Sequence, residues 1–160
     1  MTSQLGEHIW ISIFFAELVA LTYYDIRYGI LPDDWTIPGT IAGLTFALFE
    51  IGPVSLEGSV AGMLVGGVGF WLLHAFWPDK MGFGDVKMAA MLGAAFGIQH
   101  LHEIILIATV TGVVVTYMLR RKLVPFGPFL ALGAAWTEFG FRDLYGPYLG
   151  VGTLCAKLGM

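Results

Sequence analysis

Two aspartates, Asp25 and Asp85, each lie at the end of an apolar run of the sequence. Ionisable groups beside or within membrane-spanning segments are costly to keep there and therefore indicate function. Two carboxyl groups that come close together in a partly dry site share a proton, so that one acts as a base and the other as an acid. Such a pair can activate water against a peptide bond without a covalent intermediate. Helix capping, or an interfacial ion pair with Arg27 or Lys87, also fits these positions.

The composition indicates that this chain lies in a membrane. Of its 160 residues, 57% are hydrophobic and 12% are charged, whereas soluble domains carry about 25% charged residues. The net charge of −4 and the lack of a long basic run argue against nucleic acid as a partner. The single cysteine, Cys155, can form neither an internal disulfide nor a paired-cysteine zinc site. Without a polar linker or an internal repeat, residues 1–160 are interpreted as one membrane-embedded domain.

Six apolar stretches approach the length that crosses a bilayer, which is about 20 residues for a hydrocarbon core about 30 Å thick. The sequence therefore predicts an all-α, polytopic membrane protein with about six transmembrane helices. The fourth stretch is short, and its Gly93 and Gly97 would let neighbouring backbones approach closely. The predicted spans are about Ile9 to Tyr24, Trp35 to Ile51, Gly58 to Trp77, Val86 to Ile98, Leu101 to Leu119 and Phe126 to Tyr145.

Basic residues predict the orientation, because short cytoplasmic loops carry an excess of Lys and Arg. Alternate turns differ in this respect: one set holds Lys and Arg, and the other holds only Glu and His. Both termini are therefore expected outside, although Arg142 and Lys157 oppose this assignment. Asp25 follows one crossing and Asp85 follows three, so both are expected at the cytoplasmic face. The basic set is Arg27, Lys80, Lys87, Arg120, Arg121 and Lys122, and the other set is Glu50, Glu57, His100, His102 and Glu103.

Three blocks of the sequence resemble, in order, the signature of the type IV prepilin peptidases, which are Gly-x-Gly-Asp membrane aspartyl proteases. They extend from the first predicted span to the sixth. The resemblance implies that Asp25 and Asp85 are the catalytic pair and that the chain is a peptidase domain. The blocks are Asp25-Ile26-Arg27 with Ile30-Leu31-Pro32-Asp33, then Gly82-Phe83-Gly84-Asp85-Val86-Lys87, then Pro125-Phe126-Gly127-Pro128-Phe129.

The same resemblance implies the substrate and the location. Prepilin or pseudopilin precursors would lose their short basic leader at the cytoplasmic face of the bacterial inner membrane, and the enzyme would be a multi-pass protein in contact with lipid. Two carboxylates suffice for this reaction, so neither a metal nor a cofactor is expected. His100, His102 and Glu103 fit a polar turn outside the membrane better than a metal site.

Glycines and one proline are expected to support the site. Gly82 and Gly84 lack side chains, so the backbone before Asp85 can bend and a substrate can approach closely. Pro125 and Gly127 open the sixth span with an irregular turn. By the resemblance, this turn belongs to the region near the active site.

Charged neighbours have more than one interpretation. Lys87 would lie near the catalytic carboxylates or extend its ammonium group to the interface. Asp33 and Asp34 fit capping of the second span, with attraction of the basic leader as a second hypothesis. Glu17 and Glu138 lie inside spans, where a neutral, hydrogen-bonded carboxyl group is the simplest expectation.

Two other functions are compatible with membrane carboxylates. A proton-coupled carrier would use Asp25, Asp85, Glu17 and Glu138 as relays, but the two aspartates share one face and no inverted repeat is visible. A non-catalytic subunit of a pilus or secretion assembly would leave the paired aspartates without a role.

Methylation of the processed amino terminus is a second activity of many larger members of the family. Those members carry an additional cytoplasmic segment near the amino terminus, whereas here the first span begins at about Ile9. The turn from Asp25 to Asp34 is also too short to enclose a nucleoside-sized cofactor. The chain is therefore identified as a short form that is expected to remove leaders without methylating the product.

Overall fold

The computed structural model of this protein describes residues 2–51, 54–78, 81–120 and 125–141. Within these ranges all regular secondary structure is helical, which confirms the all-α prediction. A π-helical segment, Trp136–Phe141, directly follows the last α-helix. The α-helices are α1 (Thr2–Tyr28), α2 (Asp33–Leu48), α3 (Leu56–Phe76), α4 (Phe83–Leu119) and α5 (Gly127–Ala135).

Three of these helices are long and apolar enough to cross a membrane: Ile9–Tyr28, Leu56–Phe76 and Phe83–Leu119. The chain is thus a membrane protein. With 16 and 9 residues, α2 and α5 are shorter than the roughly 20 residues that a full crossing needs. Six crossings remain a prediction.

Helix α1 extends beyond the predicted limits, so that Asp25 lies within its last turns instead of after its end. Gly29 ends the helix with φ of 63°, and its N–H donates to the Asp25 carbonyl oxygen at 2.9 Å. A left-handed glycine is the usual residue at such an end because it has no Cβ to clash. The side chain of Asp25 therefore has the fixed direction of a helical residue.

The start of α2 does not follow the capping prediction. Its N-cap is Pro32, and no side chain makes a capping hydrogen bond there. Asp33 and Asp34 lie in the first turn, where negative charge interacts favourably with the helix dipole. The capping role proposed for these aspartates is therefore wrong.

The predicted break between the fourth and fifth spans was also misplaced. Residues 83–119 are continuously helical except at Gly97, which has φ of 71° and ψ of 172°. This region of conformational space is essentially restricted to glycine. The turn predicted at Gln99 and His100 is absent, and His100 with Glu103 lies in the helix that follows Gly97.

Contacts with α3 show that α4 reverses its direction at Gly97. The first arm, residues 83–96, runs antiparallel to α3, since Gly62 lies against Gly93 and Gly66 lies against Ala89. The second arm, residues 98–119, also reaches Gly66, through the side chain of Leu101. The two arms thus lie side by side.

Small residues let α3 and the first arm approach closely. A Cβ on either Gly62 or Gly93 would overlap the main chain of the other residue, and the Ser59 hydroxyl donates to the Ala94 carbonyl oxygen at 2.5 Å. This confirms the close approach predicted at Gly93. The first arm is the centre of the bundle, with fully buried side chains at Met88, Ala89, Met91, Leu92 and Ala94.

Several residues used in the orientation and composition arguments lie outside the described residues. The expectations that depend on them stay predictions. They are Lys80, Arg121, Lys122, Arg142, Cys155 and Lys157.

Candidate active site

The fold brings Asp25 and Asp85 into one cleft of about 750 Å³, although 60 positions separate them in the sequence. The two residues are only 6% and 8% exposed, and their carboxyl groups interact electrostatically. A shared, partly dry environment is what proton sharing between two carboxyl groups requires. The cleft is lined by Asp25, Ile26, Gly29, Ile30, Leu31, Pro32, Asp33, Gly82, Phe83, Gly84, Asp85, Lys87, Pro125 and Phe126.

The Asp25 side chain is held by the beginning of α5. The Gly127 N–H donates to Asp25 Oδ2 at 2.9 Å in a buried contact. Gly127 is the first residue of α5, so its N–H is one of the groups that a helix leaves without an internal partner. A Cβ at this position would overlap the Asp25 carboxyl group. A larger residue at position 127 would therefore displace the Asp25 carboxylate.

Asp85 enters the cleft from the first turn of α4. Gly82 is the N-cap of this helix, and its carbonyl oxygen accepts from the Asp85 N–H at 3.2 Å. The φ of −69° at Gly82 is accessible to any residue, and a Cβ there would lie 3.8 Å from Asp85 Oδ2. Neither dihedral angle nor space explains glycine at position 82. Its lack of a side chain keeps the space beside the Asp85 carboxyl group open.

Gly84 has a packing role. A Cβ on Gly84 would lie 2.8 Å from the Leu31 Cβ, which is closer than real contacts allow. Leu31 is buried in the loop between α1 and α2 and rests on this glycine. The missing side chain thus lets this loop pack against α4, beside both aspartates.

An ion pair crosses the edge of the cleft. The Lys87 ammonium group of α4 binds the Asp33 carboxylate of α2, and it lies 5.1 Å from the centroid of the Phe83 ring. Lys87 is therefore tied to Asp33 instead of extending freely to the interface. The pair connects the beginnings of α2 and α4 at the cleft.

All but one of the site residues predicted from the sequence line this cleft. The exception is Gly127, which contacts the cleft residue Asp25. Glu17 lies elsewhere, buried between helices with its carboxyl group against Gly39. Phe126 and Leu31 were not predicted as site residues. Both stand inside the three sequence blocks, and that position was the only available signal.

The chemistry that this cleft can support is restricted by its side chains. Among the described residues that line it there is no Ser, Thr, Cys or His. A covalent acyl-enzyme route has no nucleophile of the usual kind there. Two buried carboxyl groups can instead activate a water molecule by general acid–base catalysis.

Most of the chain is similar in sequence to known proteins. Residues 12–117 match the model of the type IV leader peptidase family. A prepilin leader peptidase/N-methyltransferase of Pectobacterium carotovorum subsp. carotovorum is 36% identical over 136 residues, covering 78% of this chain and 48% of the relative. The protein of the same name from Aeromonas hydrophila is 38% identical over 140 residues, covering 79% and 47%.

A third relative, from Dichelobacter nodosus, carries the same name and is 33% identical over 146 residues, covering 86% of this chain and 49% of the relative. The chain thus spans about half the length of the curated relatives that it matches. No solved structure matches it.

Proposed function

Because this chain belongs to the type IV leader peptidase family, we propose that it is a membrane aspartyl endopeptidase that cleaves the basic leader of prepilin-like precursors. The observation that carries this proposal is the burial of Asp25 and Asp85 in one cleft lined by residues of all three sequence blocks. The substrates are prepilin or pseudopilin precursors, and cleavage takes place at the cytoplasmic face of the bacterial inner membrane.

The reaction needs only the two carboxyl groups and water. One carboxylate accepts a proton from the water as its oxygen attacks the scissile carbonyl carbon, and the other carboxyl group donates a proton to the carbonyl oxygen. Collapse of the tetrahedral intermediate breaks the C–N bond, and a proton passes to the leaving amine. We assign the base role to Asp25, because hydrogen bonds to an ionised carboxylate are the stronger kind and the Gly127 N–H donates to it.

The charge at the edge of the cleft fits a basic leader. Asp33 lines the cleft, and Asp34 adjoins it in the first turn of α2. The Lys87 ammonium group pairs with the Asp33 carboxylate. A basic side chain of the leader would exchange with Lys87 for this carboxylate, so that binding substitutes one ion pair for another.

The arrangement of α4 supports the proposed topology. Its two arms lie side by side, so the first arm leads away from Asp85 and the second returns toward the same end of the bundle. We therefore assign the two arms to the fourth and fifth spans. From the distribution of Lys and Arg we further propose that this end faces the cytoplasm and that both termini lie outside.

Incubation of the purified protein in detergent with a prepilin-like peptide tests the proposal. We expect two products, the leader and the mature peptide, identified by mass spectrometry. Chelators should leave the rate unchanged. An intact substrate, in the presence of folded protein at high concentration, would contradict the proposed function.

A further inference from the structure

A second cavity, of about 440 Å³, lies between the second arm of α4 and the start of α5. We call it the lateral groove. Gly112 forms part of its floor, because a Cβ there would lie 3.4 Å from the Phe129 ring and 3.6 Å from the Phe126 ring. Val113 and Tyr117 line it and are 63% and 85% exposed. The groove therefore opens sideways, toward the lipid.

The lateral groove is chemically apolar. Of its two threonines, Thr109 donates its hydroxyl to the Ile105 carbonyl oxygen at 2.7 Å, within its own helix. Aliphatic and aromatic side chains supply most of the remaining surface. An occupant must consequently be apolar over the length of the groove.

The lateral groove and the aspartate cleft share one lining residue. Phe126 lines both cavities, and the next residue, Gly127, donates to Asp25. A different apolar groove, lined by Val68 and Trp71 of α3, has no described residue in common with the cleft. Of these two grooves, the lateral groove shares a lining residue with the cleft, whereas the groove on α3 reaches Val86, the residue after Asp85.

We propose that the lateral groove binds an apolar helical segment of the substrate next to the basic leader, and that the adjoining peptide bond passes Phe126 to reach Asp25 and Asp85. This inference rests on the proposed function and names the surface that binds the part of the substrate beyond the leader. The order of surfaces fits one kind of ligand. The lateral groove is apolar, and the cleft beside it has the acidic Asp33 at its edge. These two surfaces match a peptide in which an apolar segment adjoins a basic one.

A matched pair of substitutions tests the groove. Val113→Trp fills the lateral groove, and Val68→Trp places the same side chain in the groove on α3, where Val68 is 52% exposed. Each variant is given two substrates: a precursor with leader and apolar helix, and a peptide that ends shortly after the cleavage site. We expect Val113→Trp to lower the ratio of kcat/KM for the long substrate to that for the short one about tenfold. Val68→Trp should keep the ratio of the unmodified protein.

Equal ratios for the two variants would overturn the groove assignment while leaving the peptidase activity established. Photo-cross-linking gives a readout that does not depend on turnover or on folding of the tryptophan variants. An Asp85→Asn protein is irradiated with a precursor that carries benzoylphenylalanine in its apolar segment. We expect cross-links to residues 109–117, and cross-links confined to α3 would refute the proposal. If neither substrate is cleaved by the unmodified protein, the proposed function fails separately.

Discussion

The carboxyl group of Asp25 reaches the cleft from α1 but is held in place by α5. This contact depends on a single main-chain N–H, that of Gly127, and on the absence of a side chain at the same residue. A catalytic group that is displaced by about 1 Å can lose about 100-fold in rate. We therefore expect Gly127 to position Asp25, even though it supplies no functional side chain.

Replacement of Gly127 by alanine should lower kcat about 100-fold, because the new Cβ displaces the Asp25 carboxyl group. The KM should change little, since the edge of the cleft is untouched. Gly133→Ala is the matched control. Gly133 lies in α5, as Gly127 does, but its new Cβ would clash with the Ile104 carbonyl oxygen and not with Asp25. In steady-state kinetics, the activity lost by Gly133→Ala should equal the fraction of protein that does not fold. Gly127→Ala should lose activity beyond that fraction. Equal kcat values for the two folded variants would contradict this role.

Asp33 and Asp34 carry the same charge in the same helical turn, but only Asp33 lines the cleft. Asp33→Asn should raise KM for a basic leader a few-fold and leave kcat nearly unchanged, because exposed ion pairs contribute about 0.2–1 kcal/mol. Asp34→Asn should have a smaller effect. The increase in KM caused by Asp33→Asn should become smaller as the salt concentration rises, because salt screens exposed charges. A kcat loss as large as that of the catalytic aspartates would assign Asp33 to the chemistry instead.

At the scale of elements, the reversal of α4 at Gly97 sets the position of both arms. Gly97→Ala should lower stability by about 1–3 kcal/mol, since its φ of 71° and ψ of 172° are essentially restricted to glycine. Gly69→Ala is the control, because a Cβ at Gly69 meets no atom within 4 Å and alanine favours the helix. Thermal unfolding in detergent measures both. A Gly97→Ala protein as stable as the control would refute the reversal.

The sequence predicted the helical class and most helix positions, because long apolar runs leave few alternatives in a membrane. It did not locate the reversal. Gln99 and His100 form the most polar point between the two predicted spans, whereas hydropathy does not distinguish Gly97 from Gly93. Only the backbone dihedral angles separate a glycine that turns the chain from one that allows close packing.

Side-chain partners were predictable only in part. The number of predicted crossings and the three sequence blocks placed Asp25 and Asp85 together, and both line one cleft. The partner of Asp33 was missed, since capping is a local interaction and Lys87 lies 54 positions away. Phe126 was missed for a related reason: its role depends on two cavities that meet only in the folded bundle.

For the whole molecule, the orientation in the membrane is the main prediction. Single cysteines in a Cys155→Ser background report it through labelling with an impermeant thiol reagent. Asp33→Cys should resist the reagent from outside, whereas Glu57→Cys and His102→Cys should react, because basic turns stay in the cytoplasm. The side chains of Asp33 and His102 are 53% and 72% exposed, so burial does not account for a difference. The reverse pattern would overturn the orientation and the proposed side of cleavage.

The central claim is that Asp25 and Asp85 act as one catalytic unit. Its most direct test is the rate of leader release by Asp25→Asn, Asp85→Asn and the double variant, each purified in folded form. An amide cannot exchange the shared proton, so each single variant should lose at least about 1,000-fold in kcat, and the double variant should lose little more, because groups that act as a unit are not additive. Near-normal turnover by either single variant, or losses that multiply in the double variant, would contradict the account.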